Sequence, residues 1–101
     1  MNEGASGPLT DGELDEIERR TAAASPGPWT SFVEGRDHLG GDDFIRVSDR
    51  DDEPDLYLSR AVTGGVVPAS VADLDFVAHA RQDIPRLLAE VRRLRASGVP
   101  E

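Results

Sequence analysis

Apolar residues in this chain recur at helical spacing, then alternate, then return to helical spacing. Leu14, Ile17, Thr21 and Ala24 fall three or four residues apart and predict a helix with a narrow apolar stripe. Its start is well marked. Thr10 followed by Glu13 is a capping box, and Leu9 and Leu14 stand where a hydrophobic staple would sit. Asp11, Glu13, Asp15 and Glu16 place negative charge at the positive end of the helix dipole, with Arg19 and Arg20 further on. Pro26 and Pro28 lack backbone donors and end this helix by about Ser25, while Gly27 between them allows a tight reversal.

Alternation takes over after the turn. Trp29–Glu34 reads as a strand with Trp29, Ser31 and Val33 on one face and Phe32 on the other. Phe44–Ser48 reads as a second, with Ile45 and Val47 opposite Phe44 and Arg46, and Leu56–Val62 as a third, with Arg60 marking the sheet edge. The connections 35–43 and 49–55 are polar, the latter the most acidic stretch of the chain and interrupted by Pro54. Short strands on short loops predict an antiparallel meander.

Thr63–Pro68, with Gly64 and Gly65, is expected to lead back to helix. Ser70, with Asp73 three positions on, caps a helix from Val71 to about Gln82. Asp83-Ile84-Pro85 looks like a fresh start, Pro85 suiting a first turn, so a break is expected there. The last helix carries Ile84, Leu87, Leu88, Val91 and Leu94 on one face and ends at Gly98. The prediction is a disordered lead at 1–8, a single α+β domain at 9–98 and a tail at 99–101. Helix 1 and two C-terminal helices would cover one face of a three-stranded antiparallel sheet.

Composition narrows the chemistry. The 101 residues allow one modest core, and the absence of cysteine excludes disulfides, thiolate metal sites and a cysteine nucleophile. No apolar run is long enough to span a membrane, and Met1–Pro8 has neither the basic flank nor the apolar stretch of a signal peptide, so a soluble, cytoplasmic protein without membrane association is expected. Net charge is −9, and the excess is local: residues 1–60 hold 15 acids against 6 arginines, residues 61–101 hold 5 of each. Such a chain is repelled by phosphate backbones, so direct nucleic-acid binding is not expected.

Candidate chemistry is sparse. His38 and His79 lie far apart in sequence, and His79 follows Asp75 by four residues, which accounts for it as a local ion pair. Acids at 49, 51, 53 and 55 alternate as in a calcium loop, but Pro54 stands where glycine is needed and Arg60 where a bidentate glutamate is needed. No serine sits in a nucleophile elbow, and the Gly pairs at 40 and 64 lack the residues of a phosphate loop. No enzyme, metal site or cofactor is called for. Arg81, Arg86, Arg92, Arg93 and Arg95 form a basic series along the last helices, interrupted by Glu90, which reads as a solvated face. The apolar stripe of the last helix is expected to lie on the sheet, with pairing of two copies through that helix as its second use. Trp29, the only tryptophan, reads as a plug between helix and sheet or as a ligand platform.

The segments Leu14-Asp15-Glu16-Ile17-Glu18-Arg19-Arg20-Thr21-Ala22-Ala23-Ala24-Ser25-Pro26-Gly27-Pro28-Trp29 and Asp75-Phe76-Val77-Ala78-His79-Ala80-Arg81-Gln82-Asp83-Ile84-Pro85-Arg86-Leu87-Leu88-Ala89-Glu90-Val91 resemble small proteins of actinobacteria and their phages. More distantly, they are similar to early-region proteins of lambdoid phages. The resemblance covers both ends of the chain, leaves 30–70 unmatched and brings no catalytic or binding residues with it. It implies an accessory or counter-defence role in a mobile element.

The functional expectation is a non-enzymatic module that binds a protein partner through an acidic surface. Residues 34–55 hold nine acids against three arginines, and the candidate contacts are Asp42, Asp43, Asp49, Asp51, Asp52 and Trp29. A sharper form of this reading is imitation of the charge on DNA. The alternative is a small-molecule or divalent-metal binding module built on Trp29 and the acidic loops.

Overall fold

The structure, a computed structural model, describes residues 7–50 and 52–98. Most of the lead expected at 1–8, the tail at 99–101 and Asp51 therefore lie outside the described residues; Gly7 and Pro8 are exposed and in neither helix nor strand. The fold is α+β, in the order α1 (Asp11–Ala23), β1 (Thr30–Phe32), β2 (Phe44–Arg46), β3 (Ser59–Val62), β4 (Gly65–Pro68) and α2 (Val71–Ala96).

The capping box forms in both directions: the Thr10 amide donates to Glu13 Oε1 at 2.8 Å, and the Glu13 amide donates to Thr10 Oγ1 at 3.1 Å. Past Ala24 the chain turns through Gly27, at φ 77° and followed by a cis peptide to Pro28. A Cβ at Gly27 would lie 3.0 Å from the Trp29 nitrogen and 3.1 Å from its ring Cδ1, so the turn needs glycine for space as well as for φ.

β1 and β2 pair antiparallel with Thr30 opposite Arg46, Ser31 opposite Ile45 and Phe32 opposite Phe44. Period two sends Ser31, Val33, Ile45 and Val47 inward, where all are buried with Leu74 and Ala78 of α2. Trp29, Leu58 and Val77 pack around this cluster.

The expected three-stranded meander is corrected. Leu56 does meet β2, exchanging both backbone hydrogen bonds with Ile45 at 2.8 Å, but that single bridge is all of the third strand. Ser59–Val62 instead pairs with Gly65–Pro68 across the two-residue turn Thr63-Gly64, with Gly64 at φ 89°. The segment 63–68, expected to return to helix, is thus the turn and second strand of a hairpin. Val66 and Val67 favour extended backbone, and the glycine turn lets them fold back on β3 before the helix begins. All eight strand residues of this second sheet are exposed.

The expected pair of C-terminal helices is also corrected. α2 is one helix of 26 residues, capped by Ser70 and running through Pro85. An interior proline costs a helix about 3 kcal/mol, and packing on both sides of it opposes a break. Upstream, α2 lies on the sheet through Leu74 and Ala78. Downstream it lies antiparallel to α1, where Leu14 and Ile17 meet Ile84, Leu88 and Val91. Arg92 reaches Asp15 at 3.0 Å and Glu18 at 2.9 Å, and Arg95 donates to the Leu9 carbonyl at 2.7 Å. The expectation that helix 1 covers the sheet gives way to a series: α1 packs on α2, and α2 alone packs on β1 and β2. Three-residue strands make a sheet wide enough for one helix, and the narrow stripe of α1 is filled by the far half of α2.

Candidate interaction surface

The outer face of the β1–β2 sheet gathers most of the aromatic side chains of the protein. Phe32 and Phe44 are direct cross-strand partners, so their rings stack with centroids 5.2 Å apart and planes 10° from parallel. The bridge between Ile45 and Leu56 sends the neighbours of both residues to the opposite face, and Tyr57 therefore comes to rest beside Phe44 at 5.9 Å. His38 stands edge-on to both phenyl rings, at 6.4 Å from Phe32 and 5.3 Å from Phe44. The Arg46 guanidinium lies 5.7 Å from the Phe32 centroid, within cation–π range, and its Nε is 3.8 Å from Asp55. Tyr57 is 60% exposed, and Leu39 on the adjoining loop is 87% exposed.

Loop 35–43 holds His38 in this group. His38 Nδ1 accepts the Gly40 amide at 2.8 Å, which places the proton on Nε2, an enclosed nitrogen without a hydrogen-bond partner among the described residues. Asp43 accepts the Glu34 amide at 2.8 Å, and Glu34 in turn accepts the Gly41 amide. At the other end, Asp37 accepts the Val33 amide at 2.8 Å.

A polar cluster ties the loop to α2. Arg36 grips Asp75 through two hydrogen bonds of 2.9 and 3.0 Å, and Ser31 Oγ donates to the same carboxylate at 2.6 Å. The Arg36 bonds, followed by the one from Ser31, lower the Asp75 pKa to about 2. Asp37 is also held below the usual carboxylate range, chiefly by the Val33 amide, while Arg36 is raised by its bonds to Asp75 and Asp37. Arg36 and Ser31 thus both hold the Asp75 carboxylate, which fastens loop 35–43 and β1 to α2. The ion pair expected between His79 and Asp75 is replaced by a contact of His79 Nδ1 with the Asp75 backbone carbonyl at 2.9 Å, because the carboxylate belongs to Arg36.

The candidate residues divide into three groups. Asp42 and Asp43 lead directly into Phe44, with Asp42 exposed and Asp43 spent on the Glu34 amide. In the acidic connection, Asp49 is exposed and Asp52 pairs with Arg50 at 2.9 Å. Trp29 sits away from Asp42 and Asp43, on the inner side of the sheet, where it lines a cleft of about 510 Å³ together with Val47 and with Glu53 and Asp55 of the acidic connection. The Gln82 side chain accepts the Trp29 amide at 2.8 Å and donates to its carbonyl at 3.1 Å, and the indole nitrogen donates to the Ser25 carbonyl at 3.0 Å. An apolar groove of about 480 Å³ adjoins the indole, with Ile17, Ala24, Phe76, Val77 and Ile84 among its walls.

The basic series on α2 is mostly engaged in holding the fold. Arg81 donates to the Ser25 carbonyl at 2.7 Å, Arg92 and Arg95 bind α1, and Arg93 pairs with Glu90. Among the described residues no three His, Asp or Glu side chains converge to hold a metal ion, and no helix is long and apolar enough to cross a membrane.

The residues that sequence reasoning missed as a site are Phe32, His38, Phe44, Arg46 and Tyr57. Alternation already put Phe32, Phe44 and Arg46 on outward faces; the register that makes them neighbours was the missing element. The chain matches no family model, no curated protein and no solved structure.

Proposed function

We propose that the protein is a non-enzymatic protein-interaction module whose contact surface is the outer face of the β1–β2 sheet. The observation that carries this reading is that Phe32, Phe44 and Tyr57 form a continuous aromatic surface on a sheet face that neither helix covers. The loops entering this sheet carry Asp42 and Asp49, both exposed and without an ion pair among the described residues. An aromatic centre with unspent acids on its loops suits a basic protein segment and disfavours nucleic acid. An accessory role in a mobile element, implied by the resemblance of the two ends of the chain, fits a protein that works by binding.

The test is affinity capture from the native host with three baits: wild type, Tyr57→Ala, and Asp42→Asn combined with Asp49→Asn. Both variants alter exposed side chains, so the fold is retained. A partner recovered by wild type and lost with either variant supports the reading, and equal recovery by all three refutes it. The groove beside Trp29 favours a second reading, binding of a small apolar molecule. A thermal-shift screen of such compounds distinguishes the two, since a ligand of that groove raises the melting temperature in the Tyr57→Ala protein as well.

A further inference from the structure

The C-terminal half of α2 has three sides. One packs on α1, through Ile84, Leu88, Val91, Arg92 and Arg95. A second continues the line of Leu74, Ala78 and Gln82, which meet the sheet and Trp29. The third is open. It carries Asp83, Arg86, Leu87, Glu90 and Arg93, which with Ala89 outline a shallow depression of about 800 Å³. Leu87, at the edge of this side where it also borders the cleft between α1 and α2, is 61% exposed.

The charges on this side have an order. Along the helix they run negative, positive, negative, positive at 83, 86, 90 and 93. This sequence of signs is antisymmetric about position 88. Two such helices laid antiparallel about a twofold axis at Leu88 therefore bring Asp83 of each copy level with Arg93 of the other, and Arg86 level with Glu90. Each charge meets its opposite, and Leu87 meets Leu87 of the second copy next to the axis. A parallel pairing would set like charge on like charge. Within one chain Asp83 and Arg86 make no ion pair among the described residues, which leaves both available to a partner.

We infer that the protein forms a homodimer through this side of α2, with the helices antiparallel and the axis at Leu88. The location suits a chain of net charge −9, because the negative excess lies in residues 1–60 and this side is neutral. Its extent is small. Helix 80–96 overlaps its copy over about 25 Å, an interface under the roughly 800 Å² per partner of standard complexes, so the dimer dissociates in the micromolar range. The aromatic sheet face lies elsewhere and stays open in the dimer.

Sedimentation equilibrium of the wild-type chain across micromolar to submillimolar concentrations is the first test. A reversible monomer–dimer equilibrium that weakens with added salt is expected, and a monomer throughout overturns the inference. The second uses two charge variants at exposed positions: an all-acidic side (Arg86→Glu with Arg93→Glu) and an all-basic side (Asp83→Arg with Glu90→Arg). Each alone is expected to be monomeric, and an equimolar mixture to form a one-to-one heterodimer. A variant that still dimerises alone, or a mixture of folded variants that stays monomeric, overturns the proposed geometry. Tyr57→Ala leaves the dimer intact, so failure here is separable from failure of the binding surface on the sheet.

Discussion

Leu74→Ala is the perturbation on which the packing argument rests most heavily. Leu74 is 2% exposed and is the larger of the two buried α2 side chains, with Ala78, that pack against Val33, Ile45 and Val47. Removing it deletes the apolar area it buries and leaves a cavity walled by paired strands and by the helix backbone, which collapse poorly. Leucine-to-alanine changes at such sites cost about 2–5 kcal/mol, and about 3 kcal/mol is expected here. A domain of this size has a stability of roughly 5–15 kcal/mol, and each kcal/mol lost lowers its melting temperature by about 4–8 °C, so a fall of roughly 12–24 °C should follow. Leu87→Ala is the control. At 61% exposed its side chain has little buried area to lose, and a change below about 1 kcal/mol is expected in dilute solution. Urea and thermal unfolding followed by far-ultraviolet circular dichroism measure both. A cost below about 1 kcal/mol for Leu74→Ala, or a cost for Leu87→Ala equal to that of Leu74→Ala, would refute this assignment of the core.

Two further predictions concern the loop and the turn. Asp75 has its pKa lowered from 3.8 to about 2 in the fold, so its contribution to stability is present above the unfolded value and is lost as pH falls from about 4 to about 2. Arg36→Gln removes the main cause of that shift, and its acid unfolding, followed by circular dichroism, should begin at a higher pH than in wild type; superimposable curves would contradict the role given to Arg36. Gly27→Ala should cost about 1–3 kcal/mol, because it adds left-handed strain and a clash with Trp29, and should red-shift the tryptophan emission; an unchanged spectrum and melting temperature would remove that account.

What could be read in the sequence is what depends on neighbours along the chain. The capping box at Thr10 and Glu13, the stop at Pro26 and Pro28, and the inward set Ser31, Val33, Ile45 and Val47 follow from local chemistry and period two. Leu56–Val62 misled because its alternation continues smoothly across a change of partner. Leu56 belongs to Ile45, whereas Arg60 and Val62 belong to Val67 and Gly65. The signal for the hairpin was present in Val62-Thr63-Gly64-Gly65-Val66, a two-residue glycine turn between valines, and was outweighed by the helix that follows. Pro85 misled for a different reason. Its local preference is overruled by α1, whose hold on Ile84, Leu88 and Arg92 acts over some seventy residues of chain. The aromatic surface depends on both register and the Leu56 bridge, neither of which a single strand encodes.

The Gln82 side chain has a consequence for how this protein can change. Its amide group pairs with the Trp29 amide and carbonyl as a neighbouring peptide would, at the point where α2 passes from the sheet to α1. Glutamate at 82 would lack the donor and asparagine the reach. One residue inserted between Ala78 and Gln82 would turn everything beyond it by about 100° and advance it about 1.5 Å, so a helix still seated on the sheet would present the wrong side to α1. α2 therefore works as a gauge of fixed length between two cores. It can accept substitutions along its open side yet has no tolerance for a changed residue count, whereas the hairpin at Thr63-Gly64 can lengthen without disturbing either core.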